Sequence, residues 1–287
     1  MNGKHFPYRL VALLLALAAS ALWCGGEGEP RAVRPVVAVS VLPQAFLVER
    51  LAGEAVEVVV MIPPGASPAT HEPTMDQLTA VSRAALYVKV GHPHFPFEET
   101  WLSRLLGRGE GRLRVFDCAA GTELDHEDPH LWTSPRQVRA LLPRLAEELQ
   151  QLLPSSAGAI AASRDRLAAD LDALDKELGE LFTGLERREF FVFHPAWGYL
   201  ARDHGLEQVA IERGHAEPSP EELSRTIDRA RAAGARAVFV QPQSSHRAAE
   251  VVAREIGAEI RALDPLSRDY LVNLRQVGRA LADELGR

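Results

Sequence analysis

Four residues in this 287-residue chain carry side chains that could hold a cation together: His71, His130, His194 and Asp264. Three supply imidazole nitrogen, which suits zinc and other borderline transition metals, and the fourth supplies a carboxylate to offset charge. Such a set closes a four-coordinate tetrahedral shell, and a closed shell binds an ion without keeping a position for reactive water. Proline follows His194 and Asp264 and precedes His130, which restricts the backbone around three of the four. The four are spaced almost evenly, 59, 64 and 70 residues apart, so any convergence must come from the fold.

The elements that would bring them together are legible as short β-branched runs alternating with amphipathic segments. Strands are expected over 36–41, 56–62, 86–90 and 113–117, then over 190–193, 208–211, 237–241 and 259–263. Helical patterns fall at 44–52, 74–82 and 97–106 in the first half, and at 220–233, 246–256 and 267–285 in the second. This alternation predicts an α/β fold with parallel sheets. Between the halves, 155–185 repeats Leu167, Leu171, Leu174, Leu178 and Leu181 at three- and four-residue steps, one apolar stripe on a long helix. A stripe so short packs on its own chain. His71 and His130 lie beyond expected strands of the first half, and His194 and Asp264 end strands of the second. Ligands of open parallel sheets collect at those carboxyl ends.

The organisation expected from these patterns is a signal peptide at 1–23, a flexible tether at 24–34, an α/β lobe at 35–154, a linking helix at 155–186 and a second α/β lobe at 187–287. Lys4 and Arg9 precede an apolar run over 10–19, the n- and h-regions of an export signal. At about ten residues the run is too short to span a bilayer, which needs roughly 20. Cys24 follows, then a Gly- and Glu-rich stretch, as at a bacterial lipoprotein start with lipid on the cysteine; Trp23 departs from that pattern, and Ala19-Ser20-Ala21 offers an ordinary cleavage site.

Composition narrows the function classes. A net charge of −7 gives no electrostatic footprint for nucleic acid. Only Cys118 accompanies Cys24, so a zinc–thiolate cluster is excluded and Cys118 reads as a small buried hydrophobe. No Walker-type phosphate loop occurs, so any ATP hydrolysis belongs to a partner.

The residues around the candidate ligands carry a resemblance. The blocks are Thr70-His71-Glu72-Pro73, Phe97-Glu98-Glu99-Thr100-Trp101-Leu102, Asp128-Pro129-His130-Leu131-Trp132, Phe193-His194-Pro195-Ala196-Trp197-Gly198-Tyr199, Glu217-Pro218-Ser219-Pro220, Val240-Gln241-Pro242-Gln243 and Leu263-Asp264-Pro265-Leu266. In order and extent the chain resembles the metal-binding proteins of zinc and manganese ABC importers, the cluster A-I or ZnuA/TroA-like family. The resemblance implies two βα-sandwich lobes joined by one rigid long helix, with the ion between them. It implies His71, His130, His194 and Asp264 as ligands of a transported metal. Histidine at 194 resembles the zinc members, where manganese members tend to carry a carboxylate, so Zn2+ is expected, with Mn2+ or Fe2+ as alternatives. An ABC permease and its ATPase are the implied partners of a periplasmic or otherwise extracytoplasmic monomer that is not an enzyme.

Around the ligands, Glu72, Trp132, Trp197, Gln241 and His215 are expected to supplement or support the shell. His92 and His94 either reach the metal or serve their loop. Many zinc members carry a long His-rich loop before the second ligand; here only Asp125-His126-Glu127-Asp128 stands there, so that loop's role is not carried over. Two rival classes share the same residues: a zinc hydrolase using Glu72 or Glu212 as general base, and a metal-binding adhesin. No HExxH helix supports the first.

Overall fold

The computed structural model describes residues 34–286 apart from 108–112, 126, 213–217 and 244–246. Cys24, His126 and His215, singled out above, lie outside the described residues.

All eight expected strands form, and they make two sheets. The first contains β1 (Val36–Val39), β2 (Glu57–Val60), β3 (Ala84–Lys89) and β4 (Arg114–Asp117), in the order β2-β1-β3-β4. The second contains β5 (Glu189–Val192), β6 (Glu207–Ala210), β7 (Ala237–Val240) and β8 (Glu259–Ala262), in the order β6-β5-β7-β8. Every pairing is parallel. The two halves thus repeat one permutation, and in each the first strand lies beside the third. That reversal of strand order opens a crevice beyond the carboxyl ends.

Helices fill the crossovers: α1 (Leu42–Ala52), α2 (Met75–Arg83) and α3 (Pro96–Leu106) in the first half. Next come α4 (Pro135–Leu152) and the 26-residue α5 (Ala157–Phe182). The second half adds α6 (Gly198–Asp203), α7 (Pro220–Ala232), α8 (Arg247–Ile256) and α9 (Tyr270–Leu285). Helix α4 has no counterpart among the expected helices. Pro143 sits inside it and removes one backbone donor. Val138, Leu141, Leu142, Leu145 and Leu149 nevertheless bury one continuous face, and Ser134 caps its start by accepting from the Gln137 amide at 3.0 Å. Burial of that face outweighs the local defect.

Helix α5 is the long expected helix, with Leu167, Leu171, Leu174 and Leu178 all fully buried. It packs on α1 and α4 on one side and on α9 on the other. Ion pairs follow the same contacts: Arg50–Asp170 and Arg136–Asp175 to the first half, and Arg275–Glu177 to α9. Such solvent-accessible pairs add little stability. Gly278 on α9 permits the close approach, since a β-carbon there would stand 2.3 Å from Leu178 Cδ2. One large hydrophobic core runs from β1 to α9, with two small clusters beneath α7 and α8. Among the described residues no helix is long and apolar enough to cross a membrane.

Candidate metal centre

His194 stands two residues past β5, where strand geometry carries it to the edge of the second sheet. Strand β6 runs parallel beside β5 with Val192 opposite Ala210, and the ladder continues as Glu212 N–H donates to the Phe193 carbonyl at 3.0 Å. This brings Glu212 level with His194, and its Oε1 meets His194 Nδ1 in a short hydrogen bond. Burial holds the His194 imidazole below its ordinary range, against the opposing pull of Glu212. A neutral ring with its proton on Nδ1 presents the Nε2 lone pair, the form a metal needs.

His130 reaches the same place from the first half. Asp128, two residues earlier, accepts through Oδ1 from both the backbone N–H and Nδ1 of His130, each at 2.8 Å. Thr133 fixes the residue from behind by donating to the His130 carbonyl at 2.9 Å. The His130 and His194 rings meet nearly edge to face, with centroids 5.1 Å apart. Nitrogens of two rings at that separation can share one ion at the roughly 2.0–2.1 Å of a zinc–imidazole bond. Each ring is therefore backed by a carboxylate on the nitrogen that would not bind metal, which fixes tautomer and orientation.

His71 and Asp264 are not joined to this pair. Among the described residues no group of three His, Cys, Asp or Glu side chains stands ready to hold an ion. His71 stacks on Phe97 with centroids 6.2 Å apart, and its Nε2 is buried without a hydrogen-bond partner. Asp264 Oδ1 accepts from the Gln243 amide at 2.7 Å and from Leu266 N–H at 2.9 Å. Gln241 is buried beyond β7, with its Nε2 likewise unpartnered, and so is Gln243 Oε1. Among the described residues five buried side-chain atoms lack a partner, and four of them belong to His71, Asp128, Gln241 and Gln243.

The remaining candidates sort clearly. Trp132 lies edge-on to His130 at 5.2 Å, and its indole N–H donates to the Pro265 carbonyl at 2.7 Å, beside Asp264. Tyr270 O–H in turn donates to the Trp132 carbonyl at 2.8 Å. Trp197 is buried in the core, with its backbone N–H held by Gln208 at 2.7 Å. His92 spends both nitrogens on its surroundings. Nδ1 accepts from the His94 N–H at 3.1 Å, so Nε2 carries the proton and donates to the Asp125 carbonyl at 2.7 Å. It serves the loop, and His94 is exposed. Glu72 is exposed too. Cys118 is buried, accepts from the Gln44 amide at 3.4 Å, and is pushed up to about 12 by that burial.

Three supporting roles escape the sequence reading. Asp128 was visible in the Asp-Pro-His block, and a carboxylate two residues before a candidate ligand is a usable signal. Glu212 depended on which strands pair. Glu98 is the third: it is buried and accepts from Ser40 Oγ, from Val90 N–H and, at 2.9 Å, from Gly91 N–H, tying the ends of β1 and β3 to α3. Burial pushes its carboxyl above the usual range despite those hydrogen bonds.

Comparison with known proteins bears on the family and the fold. A family model described as the zinc-uptake complex component A, periplasmic, matches residues 37–284. The high-affinity zinc uptake system protein ZnuA of Paracoccus denitrificans is 37% identical over 171 residues, 55% of this chain and 52% of its own. The ZnuA of Bacillus subtilis is 24% identical over 284 residues, covering 90% and 86%. A crystal structure of ZnuA superposes with a TM-score of 0.83 at 37% identity, covering 88% of this chain and 99% of that one.

Proposed function

Because the chain belongs to the family of periplasmic zinc-uptake components, we propose that it captures Zn2+ outside the cytoplasmic membrane and hands it to the permease of an ABC importer. The family is one of transport components, and the ion is cargo. The ligands in this reading are His71, His130, His194 and Asp264. One observation carries it: His130 and His194, from opposite halves, face each other 5.1 Å apart, each with a carboxylate on Nδ1. Three neutral imidazoles and one carboxylate leave a bound Zn2+ only partly neutralised, and Asp128 and Glu212 supply compensating charge at one remove.

Capture requires His71 and Asp264 to close on the central pair. The buried, unpartnered Nε2 of His71 gains a partner when it does. Affinity falls in acid, where protons compete for the imidazoles. The protein acts as a monomer in this reading, with lobes bounded at 35–154 and 187–287 around the linking helix of 155–186. Export proceeds with lipid attachment at Cys24 or with cleavage after Ala19-Ser20-Ala21, and the mass of the mature protein distinguishes the two.

The deciding measurement is native mass spectrometry with metal analysis on protein purified without chelators. One zinc per chain is expected, lost in the double variant His130→Ala, His194→Ala. Manganese in place of zinc under equal supply of both would move the cargo assignment to Mn2+; affinity for neither tighter than micromolar would refute capture.

A further inference from the structure

Gly198 is the first residue of α6, four residues after His194, and its place against the opposite half is unusually tight. A β-carbon at 198 would lie 2.5 Å from Asp128 Oδ2 and 3.6 Å from Asp128 Cγ. Real β-carbons do not approach so closely, and the neighbour here cannot simply swing aside. Asp128 is buried, and its other oxygen is held by two hydrogen bonds from His130 at 2.8 Å. Gaining the roughly one ångström needed for ordinary contact would either part the halves or turn the carboxylate. Turning it takes Oδ1 off His130 Nδ1.

Asp128 Oδ2 is itself buried without a hydrogen-bond partner. A buried carboxylate oxygen left unsatisfied is costly, and water or a donor would normally fill such a place. Instead the bare α-carbon of Gly198 closes over it. The cost is tolerable only if the contact does something else: it wedges Asp128 against the second half and sets the angle of the His130 ring. A cation on that ring supplies the counter-charge that Oδ2 lacks.

We infer that Gly198 is a positioning residue for metal capture: through Asp128 it makes the orientation of the His130 imidazole depend on how closely the two halves abut. Affinity is then a property of the seam as well as of the ligands. The inference rests on the zinc-capture reading of the site, and it adds a residue that touches neither ligand ring nor ion.

The test compares the full mature chain with Gly198→Ala, Asp128→Ala and the double variant, by zinc titration against a chromophoric chelator. Gly198→Ala is expected to weaken zinc binding about ten- to a hundredfold, the usual range for lost support of a ligand histidine. Asp128→Ala should do the same, and the double variant should bind no more weakly than Asp128→Ala alone, because both act through one contact. Wild-type affinity in Gly198→Ala, or losses that add in the double variant, would overturn the inference. Long-range 1H–15N spectra of the metal-free proteins give an independent readout. His130 should hold its proton on Nδ1 in the wild type and lose that preference in Gly198→Ala; an unchanged tautomer overturns the inference even if the wild type binds no zinc, which would itself sink only the capture reading. Should Gly198→Ala fail to fold, removing the clash in the double variant must restore folding; equal failure of both also overturns it.

Discussion

Glu212 sits level with His194 across the β5–β6 ladder and grips its Nδ1 from the neighbouring strand. The pairing makes sheet register part of the proposed metal site, since slipping β6 by one residue would turn Glu212 to the other face. Its counterpart on the first half, Asp128 with His130, is made within three residues of chain. One bond is thus made across a strand pairing and the other within a single turn of chain.

Replacing Glu212 by Ala removes the acceptor that fixes the His194 tautomer. Zinc affinity is expected to fall about ten- to a hundredfold while circular dichroism stays unchanged. Retained affinity in a chelator competition would show that the ring is oriented without it.

Gln243→Ala frees Asp264 Oδ1 from its amide donor. Stoichiometry should remain one zinc per chain while the dissociation rate rises, because the ligand is kept and its aim is lost. Asp264→Ala should weaken binding further than Gln243→Ala. Equal effects, or none, in stopped-flow release would remove Asp264 from the shell.

Glu98 gives the metal-free protein a pH signature. Its carboxyl is raised by burial, so the folded chain keeps a proton that the unfolded chain releases near about 4.3. The stability contributed this way is complete below that value and is lost as pH rises through the elevated folded one. Glu98→Gln cannot ionise. Urea midpoints should therefore shift in favour of the variant, relative to the wild type, as pH rises above about 4.3. A difference constant with pH would show that Glu98 ionises normally.

Gly278→Ala tests the packing of α9 on the long helix. The added methyl meets Leu178 Cδ2 at 2.3 Å in a fully buried contact. Overpacking of this kind costs about 1–3 kcal/mol, readable as a lower denaturation midpoint with zinc stoichiometry unchanged. A neutral result would mean that α9 withdraws without penalty.

Much of this architecture was legible in the sequence. The eight strands appear because their β-branched runs are short, apolar and separated by helical periods. Helix α4 was lost because Pro143 reads locally as a break, whereas the buried face that overrides it is visible only when Val138, Leu141, Leu145 and Leu149 are taken together. The meeting of His130 and His194 followed from strand ends in two sheets of one topology. Glu212 did not, because its role depends on β6 lying beside β5, a non-local pairing that no spacing along the chain encodes. His92 was left open between metal and loop, and its hydrogen bonds to a backbone amide and a carbonyl, which no spacing reveals, tie it to the loop.

The bond from Trp132 to the Pro265 carbonyl, with the return bond from Tyr270, has a mechanical consequence. Trp132 lies two residues from His130, and Pro265 adjoins Asp264, so a tug that unzips this clasp also drags on both neighbours. If His130 and Asp264 hold the ion as proposed, unloading would need no dedicated trigger. A membrane receptor that levers the lobes apart would loosen its grip on the freight in the same stroke.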